Sequence, residues 1–196
     1  MEKTAPVWEK DGFVLRLSRP EEALPYYRQN LNPLDPETAR LTGSPERFEE
    51  DAAVRFFLAC ISDPDRYDFL LHEPDGRILG EAVLNEIDWD VRSANFRIAI
   101  FHPEDRGKGT GSWMIRTVRD FAFETLKLRR LSLDVFSFNP RAEQAYLRAG
   151  FRREGVLRGA VRDGDGYADD ILMAILEPEW RALRESRYTD MGLPLA

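Results

Sequence analysis

The sequence predicts an α/β (α+β) domain in which a mixed, mostly antiparallel central sheet is flanked by helices. Three observations carry this. Residues 67–101 hold three strand-like runs separated only by turn signals, with no helix between them. A single strand–helix–strand passage follows, from 94–101 through a helical pattern at 112–126 to 130–136, so one parallel crossover is evident. The chain then closes on two runs, 151–160 and 167–176, joined by Asp163-Gly164-Asp165-Gly166. A doubly wound sheet needs repeated crossovers, and these are lacking.

Taken in order, residues 1–11 read as a loose leader, and a first strand, Phe13 to Leu17, opens behind the Asp11-Gly12 turn signal. Pro20 suits a helix's first turn and Glu21 and Glu22 suit its positive end, while Pro25 keeps that helix short or kinked. A loop around Asn32-Pro33-Leu34-Asp35-Pro36 follows. Ser44-Pro45 is expected to cap a helix over 45–61, with Phe48, Ala52, Phe56 and Ala59 on its apolar face. Strands are expected from Tyr67 to Leu71 and from Ile78 to Ile87, then from Ala94 to Phe101. In the next helix Met114, Ile115, Val118, Phe121 and Ala122 fall at helical spacing. Leu131, Leu133 and Val135 alternate with Ser132 and Asp134 as on a half-buried strand. Asn139-Pro140 opens a short helix that ends at Gly150, a left-handed cap by residue type. One more helix is expected from Glu177 around Trp180 and Leu183. The main domain thus runs over 12–177, with 178–196 a tail packed on it.

Composition narrows the function classes. The 196 residues suffice for one domain with a substantial core, and 43% apolar with 32% charged residues suits a globular protein. No run of about 18 apolar residues is present to cross a membrane, and the first residues lack the features of a signal peptide. Cys60 is the only cysteine, so no internal disulfide forms, and with His72 and His102 it makes no recognisable metal-ligand spacing. A reducing cytoplasm is the expected compartment. The net charge of −7 argues against non-specific nucleic-acid binding.

The most informative stretch is Arg106-Gly107-Lys108-Gly109-Thr110-Gly111, between the end of a strand and the start of a helix. Free backbone N–H groups and the positive end of the helix dipole meet there, and glycines let an anion approach the main chain. A diphosphate fits that description. The phosphate-binding P-loop pattern fails, because no Gly-Lys-Ser or Gly-Lys-Thr occurs at the required spacing. The dinucleotide fingerprint fails at Ser112.

Arg106, Gly109 and Gly111 do match the Arg/Gln-x-x-Gly-x-Gly/Ala loop of the GNAT superfamily of acyl-CoA N-acetyltransferases. Downstream, Asn139, Ala142, Tyr146 and Gly150-Phe151 form Asn-x-x-Ala-x-x-x-Tyr-x-x-x-Gly-Phe, and Arg152, Glu154 and Gly155 continue the likeness. Over roughly 12–177 the chain resembles the branch of ribosomal-protein N-terminal (RimJ/RimL) and spermidine acetyltransferases. The resemblance implies acetyl-CoA as cofactor, direct transfer to an amine acceptor, and no nucleic-acid or membrane partner; a homodimer is compatible with it. It assigns cofactor contacts to Ile98, Ile100 and Phe101, to Arg106, Gly107, Lys108, Gly109, Thr110, Gly111 and Ser112, and to Asn139 and Tyr146. An acyl-CoA-binding regulator without transfer activity is the alternative, disfavoured because both Asn139 and Tyr146 are retained.

For the chemistry, the resemblance makes Tyr146 the donor to the departing CoA thiolate. A base must deprotonate the acceptor ammonium, whose pKa is about 10 if lysine-like. Asp134, Glu86 and Asp88 are candidates, with water a further one. Asp134 stands where some relatives carry a glutamate. Between 21 and 51, eight acids (Glu21, Glu22, Asp35, Glu37, Glu46, Glu49, Glu50, Asp51) face three arginines, an acidic wall suited to a cationic amine.

Overall fold

The computed structural model describes residues 3–190. Two compact units are distinguished in it: one runs through Ile87 and takes in Phe96–Ile115, the other comprises Asp88–Asn95 and the chain from Arg116 on.

In the first unit β1 (Trp8–Lys10), β2 (Phe13–Leu17), β3 (Tyr67–His72) and β4 (Ile78–Asp88) pair antiparallel in that order. The later residues of β5 (Ser93–Ile100) lie beside β4, and the Phe101 N–H donates to the Leu79 carbonyl at 2.9 Å. Leu15, Phe69, Leu71 and Leu84 are sealed from solvent. A 3-10 turn at Pro20–Glu22 leads into α1 (Ala23–Tyr26), which loosens into a π-helical turn at Tyr27–Leu31. Pro25 therefore does interrupt regular helix. On one sheet face Ala23, Phe57, Leu70, Ile78 and Phe101 form a core cluster, with Tyr26, Val54, Ile61 and Ala99 against it.

Four expectations change here. Residues 8–10 of the supposed leader form β1, with Trp8 tilted against Phe69 at 5.4 Å; a three-residue edge strand is too short to show periodicity. The supposed loop contains α2 (Pro36–Thr42), whose N-cap is Asp35: its carboxylate accepts from the Thr38 N–H at 2.8 Å. The helix expected from 45 begins only at Glu50 (α3, Glu50–Ser62), since Gly43, at φ 65, ends α2 first and Ser44 is spent on that turn. Finally, α3 buries Phe57 and Cys60, whereas Phe56 is 64% exposed: of two adjacent phenylalanines the other faces the core.

In the second unit the first residues of β5 pair parallel with β6 (Arg130–Phe136), Ser93 opposite Arg130. That is the predicted crossover, made through α4 (Thr110–Glu124). β6 pairs antiparallel with β8 (Gly166–Leu176), which pairs antiparallel with β7 (Arg152–Asp163). Leu131, Leu133 and Val135 are buried and Asp134 is exposed, as the alternation requires. α5 (Pro140–Arg148) is followed by Gly150 at φ 95, the left-handed residue expected there; a Cβ at that position would come within 2.2 Å of Leu183. α6 (Glu177–Asp190) stacks Trp180 on Phe123 at 5.3 Å. Arg119 is buried yet matched: it donates to the Ala149 carbonyl and to Asp120, which also accepts from the Trp180 indole at 2.8 Å. The last six residues of the tail, 191–196, lie outside the described residues.

Candidate active site

The site residues of the first unit gather around the glycine loop. Residues Pro103–Asp105 form a 3-10 turn, the chain straightens at Arg106, and Gly107 and Gly109 adopt φ 82 and φ 84, which only glycine takes without strain. Thr110 then opens α4, and the Trp113 N–H donates to the Gly109 carbonyl at 3.0 Å. A Cβ built on Gly109 meets nothing within 4 Å, and one on Gly111 meets only Ile100 Cγ1 at 3.9 Å. Protein packing therefore does not require these positions to be small. The space beside them lies at the N-terminus of a fifteen-residue helix, where backbone N–H groups lack intrahelical partners. A CoA diphosphate fits such a cradle.

The side chains around the loop hold it in place. Arg77 forks onto the buried Asp105 at 2.9 and 3.0 Å, and Lys108 reaches the same carboxylate at 3.2 Å. Burial pushes the Asp105 pKa up, but these two cations outweigh it and hold the carboxyl below its ordinary range. Arg106 is not the flexible, exposed cation that its place in the loop motif suggests. Its guanidinium pairs with Glu37 at 2.5 Å and Asp35 at 3.5 Å and donates to Thr38 Oγ1, while Nε donates to the Ile100 carbonyl at 3.3 Å. It ties the loop to α2.

The strand ahead of the loop is only partly available. The Phe101 N–H is taken by Leu79 and its carbonyl by Thr38 Oγ1 at 2.6 Å, so the Phe101 main chain has no donor to offer a thioester. Ile98 and Ile100 are half-buried. Glu86 is exposed and sits at φ 53, its carboxylate 3.5 Å from the Asn85 amide.

In the second unit Tyr146, Asn139, Asp134 and Asp88 were expected to matter. Tyr146 is buried, its ring edge-on to Phe151 at 5.9 Å. Burial, then the charge of Asp134, pushes its phenol well above the ordinary tyrosine pKa, so it keeps its proton throughout the neutral range. Asn139 is the N-cap of α5, its Oδ1 accepting from the Ala142 N–H at 3.1 Å. Asp88 accepts from the Asp90 and Val91 N–H groups at 2.9 and 3.1 Å, a turn role that occupies its carboxylate.

The acidic stretch 21–51 is thinner as a wall than its letters suggest. Glu22 is buried against Arg16 and His72, Asp35 and Glu37 pair with Arg106, and Glu50 lies 3.7 Å from Arg28. Sequence reasoning also missed Glu81 on β4, which accepts a 2.8 Å hydrogen bond from the Tyr26 hydroxyl. Its only signal is a single charge within the apolar first part of β4, between Leu79 and Leu84.

The chain is similar to known proteins. The acetyltransferase (GNAT) domain family matches residues 13–152. A spermidine N(1)-acetyltransferase of Vibrio cholerae is 33% identical over 112 residues, 57% of this chain and 64% of that enzyme's length. One of Escherichia coli strain K12 is 30% identical over 167 residues, covering 78% of this chain and 88% of the relative. A crystal structure of the Vibrio cholerae spermidine N-acetyltransferase in complex with CoA and spermine superposes with a TM-score of 0.78 at 26% identity, over 88% of this chain and 99% of that one. A glycine loop left open at a helix N-terminus, the antiparallel sheet with its single β5–β6 crossover, and a family match across most of the chain lead to one assignment: the chain belongs to the acetyltransferase (GNAT) domain family.

Proposed function

We propose that the protein transfers the acetyl group of acetyl-CoA directly to a cationic primary amine, of the polyamine class. The observation that carries this is the open space over Gly109 and Gly111 at the start of α4, in a chain whose relatives are named spermidine N-acetyltransferases. Acetyl-CoA supplies the activated thioester. The loop N–H groups from Gly107 to Ser112 hold its diphosphate, Ile98 and Ile100 line its thioester arm, and Arg106 acts through loop position. Asn139 orders the start of α5.

Tyr146 donates a hydrogen bond to the departing sulfur. Its raised pKa fits a donor better than an acid, since a thiolate, with an ordinary pKa of about 8.5, is a weaker base than this phenolate. Asp134 attracts the acceptor's positive charge, and exposed Glu86 is at most a secondary attractor. The acetyltransferase domain spans 12–177, with the tail that α6 begins packed on it. A homodimer is compatible with this reading, and the working compartment is a reducing cytoplasm, in keeping with a lone, buried Cys60.

Ligand-dependent unfolding tests the cofactor half of the proposal: CoA and acetyl-CoA should raise the midpoint, and ATP and NAD should not. Stabilisation by NAD alone would overturn it. An acceptor screen tests the other half, with spermidine-like amines outperforming neutral ones and salt weakening them through KM.

A further inference from the structure

Glu81 is recessed in the first unit. It lies on the sheet face that carries Leu70, its cross-strand partner on β3, and Tyr26 hangs over it from α1. Tyr26 is itself fixed, tilted against Phe57 at 5.0 Å and edge-on to Phe101 at 5.5 Å. The hydroxyl occupies Oε2 only; among the described residues Oε1 accepts no hydrogen bond, and solvent still reaches the side chain. The neighbouring residue, Gly80, packs tightly against β5: a Cβ there would lie 2.3 Å from the Ala99 carbonyl oxygen. Glu81 is therefore one residue away from the strand that runs into the glycine loop.

Resting on the acetyltransferase reading above, we propose that Glu81 is the proton acceptor for the incoming amine, with Tyr26 as the residue that positions it. Glu86 is in open solvent and Asp88 is committed to a turn, so neither has this placement. In the step itself an N–H bond of the acceptor ammonium breaks and an O–H bond forms on Oε1. The freed nitrogen lone pair attacks the thioester carbonyl carbon, and the C–S bond then breaks to release CoA thiolate. The second proton lost from nitrogen balances the proton the thiolate takes up, and Glu81 returns its own to solvent.

The surroundings fit that task. Burial pushes the Glu81 carboxyl above its ordinary range, against the Tyr26 hydrogen bond, which lowers it; Asp68 on β3 raises it further, and Arg97 on β5 and Arg66 lower it. Arg66 is matched by Asp68 at 2.8 Å, and the Cys60 thiol on α3 is raised by its own burial and stays neutral. A raised carboxyl is a stronger base, closer to the amine it must deprotonate.

The test is kcat and kcat/KM against pH, at saturating acetyl-CoA, for wild type, Glu81→Gln and Tyr26→Phe, with spermidine as acceptor and CoA binding measured in parallel. Glu81→Gln should bind CoA normally, lose about 10²–10⁴ in kcat at neutral pH, and recover partly as the medium turns alkaline. The acid limb of the wild-type profile should vanish with it. Tyr26→Phe removes a bond that lowers the Glu81 pKa, so its acid limb should move to higher pH, which loss of packing alone would not produce. A wild-type profile in both variants, or a Tyr26→Phe profile that falls without moving, overturns the proposal. Should Glu81→Gln fail to fold, the direction of the Tyr26→Phe shift still decides. If the wild type itself releases no CoA with any amine, it is the acetyltransferase reading that fails.

Discussion

Arg106 and Glu37 form a 2.5 Å ion pair that fastens the glycine loop to the N-terminal turn of α2. The arginine of the loop motif is thereby spent on the protein, with Thr38 and the Ile100 carbonyl sharing its remaining donors. Arg106→Ala should cost about 2 kcal/mol of stability, the loss of charged hydrogen bonds in a part-buried setting. CoA affinity should fall with it, through a loosened loop. Glu37→Gln should cost about 1 kcal/mol or less, because that carboxylate is more than half exposed. Denaturant unfolding of both variants checks the order, and equal effects would contradict it.

The two glycines of the loop should separate under substitution. Gly109 sits at φ 84, so Gly109→Ala costs about 1–2 kcal/mol by backbone strain even without ligand. Gly111 lies within α4 with only a van der Waals neighbour, so Gly111→Val should fold normally and lose the CoA-induced rise in unfolding midpoint. A Gly111→Val variant that CoA stabilises as well as wild type would make the loop a bare structural turn.

Acid sensitivity should trace to Glu22. Burial raises its pKa, but hydrogen bonds from His72 and Arg16 and from the Arg19 N–H outweigh that and hold it at about 2, against an ordinary 4.5. A depressed folded-state pKa means stability that is fully present above pH 4.5 and lost as pH falls toward 2, about 3 kcal/mol in all. In Glu22→Gln that part is missing at pH 7, and the remaining pH dependence between 4.5 and 2 should be correspondingly shallower. Parallel slopes for the two proteins would show the acid loss to lie elsewhere.

Much of this was readable in the letters, for reasons that differ by residue. Helical spacing over fifteen residues puts Met114, Ile115, Val118, Phe121 and Ala122 on one face of α4, and all five are buried. The residue type alone marks Gly150 as a left-handed cap, and it sits at φ 95. Phe56 and Phe57 could not be told apart, since one step along a helix turns a side chain by a quarter-circle or so and both letters are the same. α2 was hidden by Pro33 and Pro36, which read as loop although a proline at the first helical position favours a helix. Arg106–Glu37 and Tyr26–Glu81 join residues 69 and 55 positions apart. No local spacing reveals such pairs.

The C-terminal helix belongs to the core of its unit. Trp180→Ala removes the stack on Phe123 and the bond to Asp120, which itself steadies the buried Arg119. The expected cost is about 3–5 kcal/mol, the range for deleting a buried tryptophan. A loss below 1 kcal/mol in denaturant unfolding would show α6 to be an appendage.

Tyr146→Phe should keep the edge contact with Phe151 and leave CoA binding intact while kcat falls about 10²–10³-fold, the cost of losing one donor to developing charge. Parallel losses in kcat and kcat/KM would mark an interaction made in the transition state. Near-wild-type kcat would remove the tyrosine from the chemistry without touching the cofactor assignment.

The central claim is acetyl transfer from acetyl-CoA to a cationic amine, and amine-dependent release of CoA thiol, followed together with the mass of the amine product, measures it directly. The account predicts one free thiol for each acetylated polyamine formed, with a neutral amine of similar size far slower. Binding of acetyl-CoA with no thiol release above the buffer rate, whatever amine is added, would contradict it.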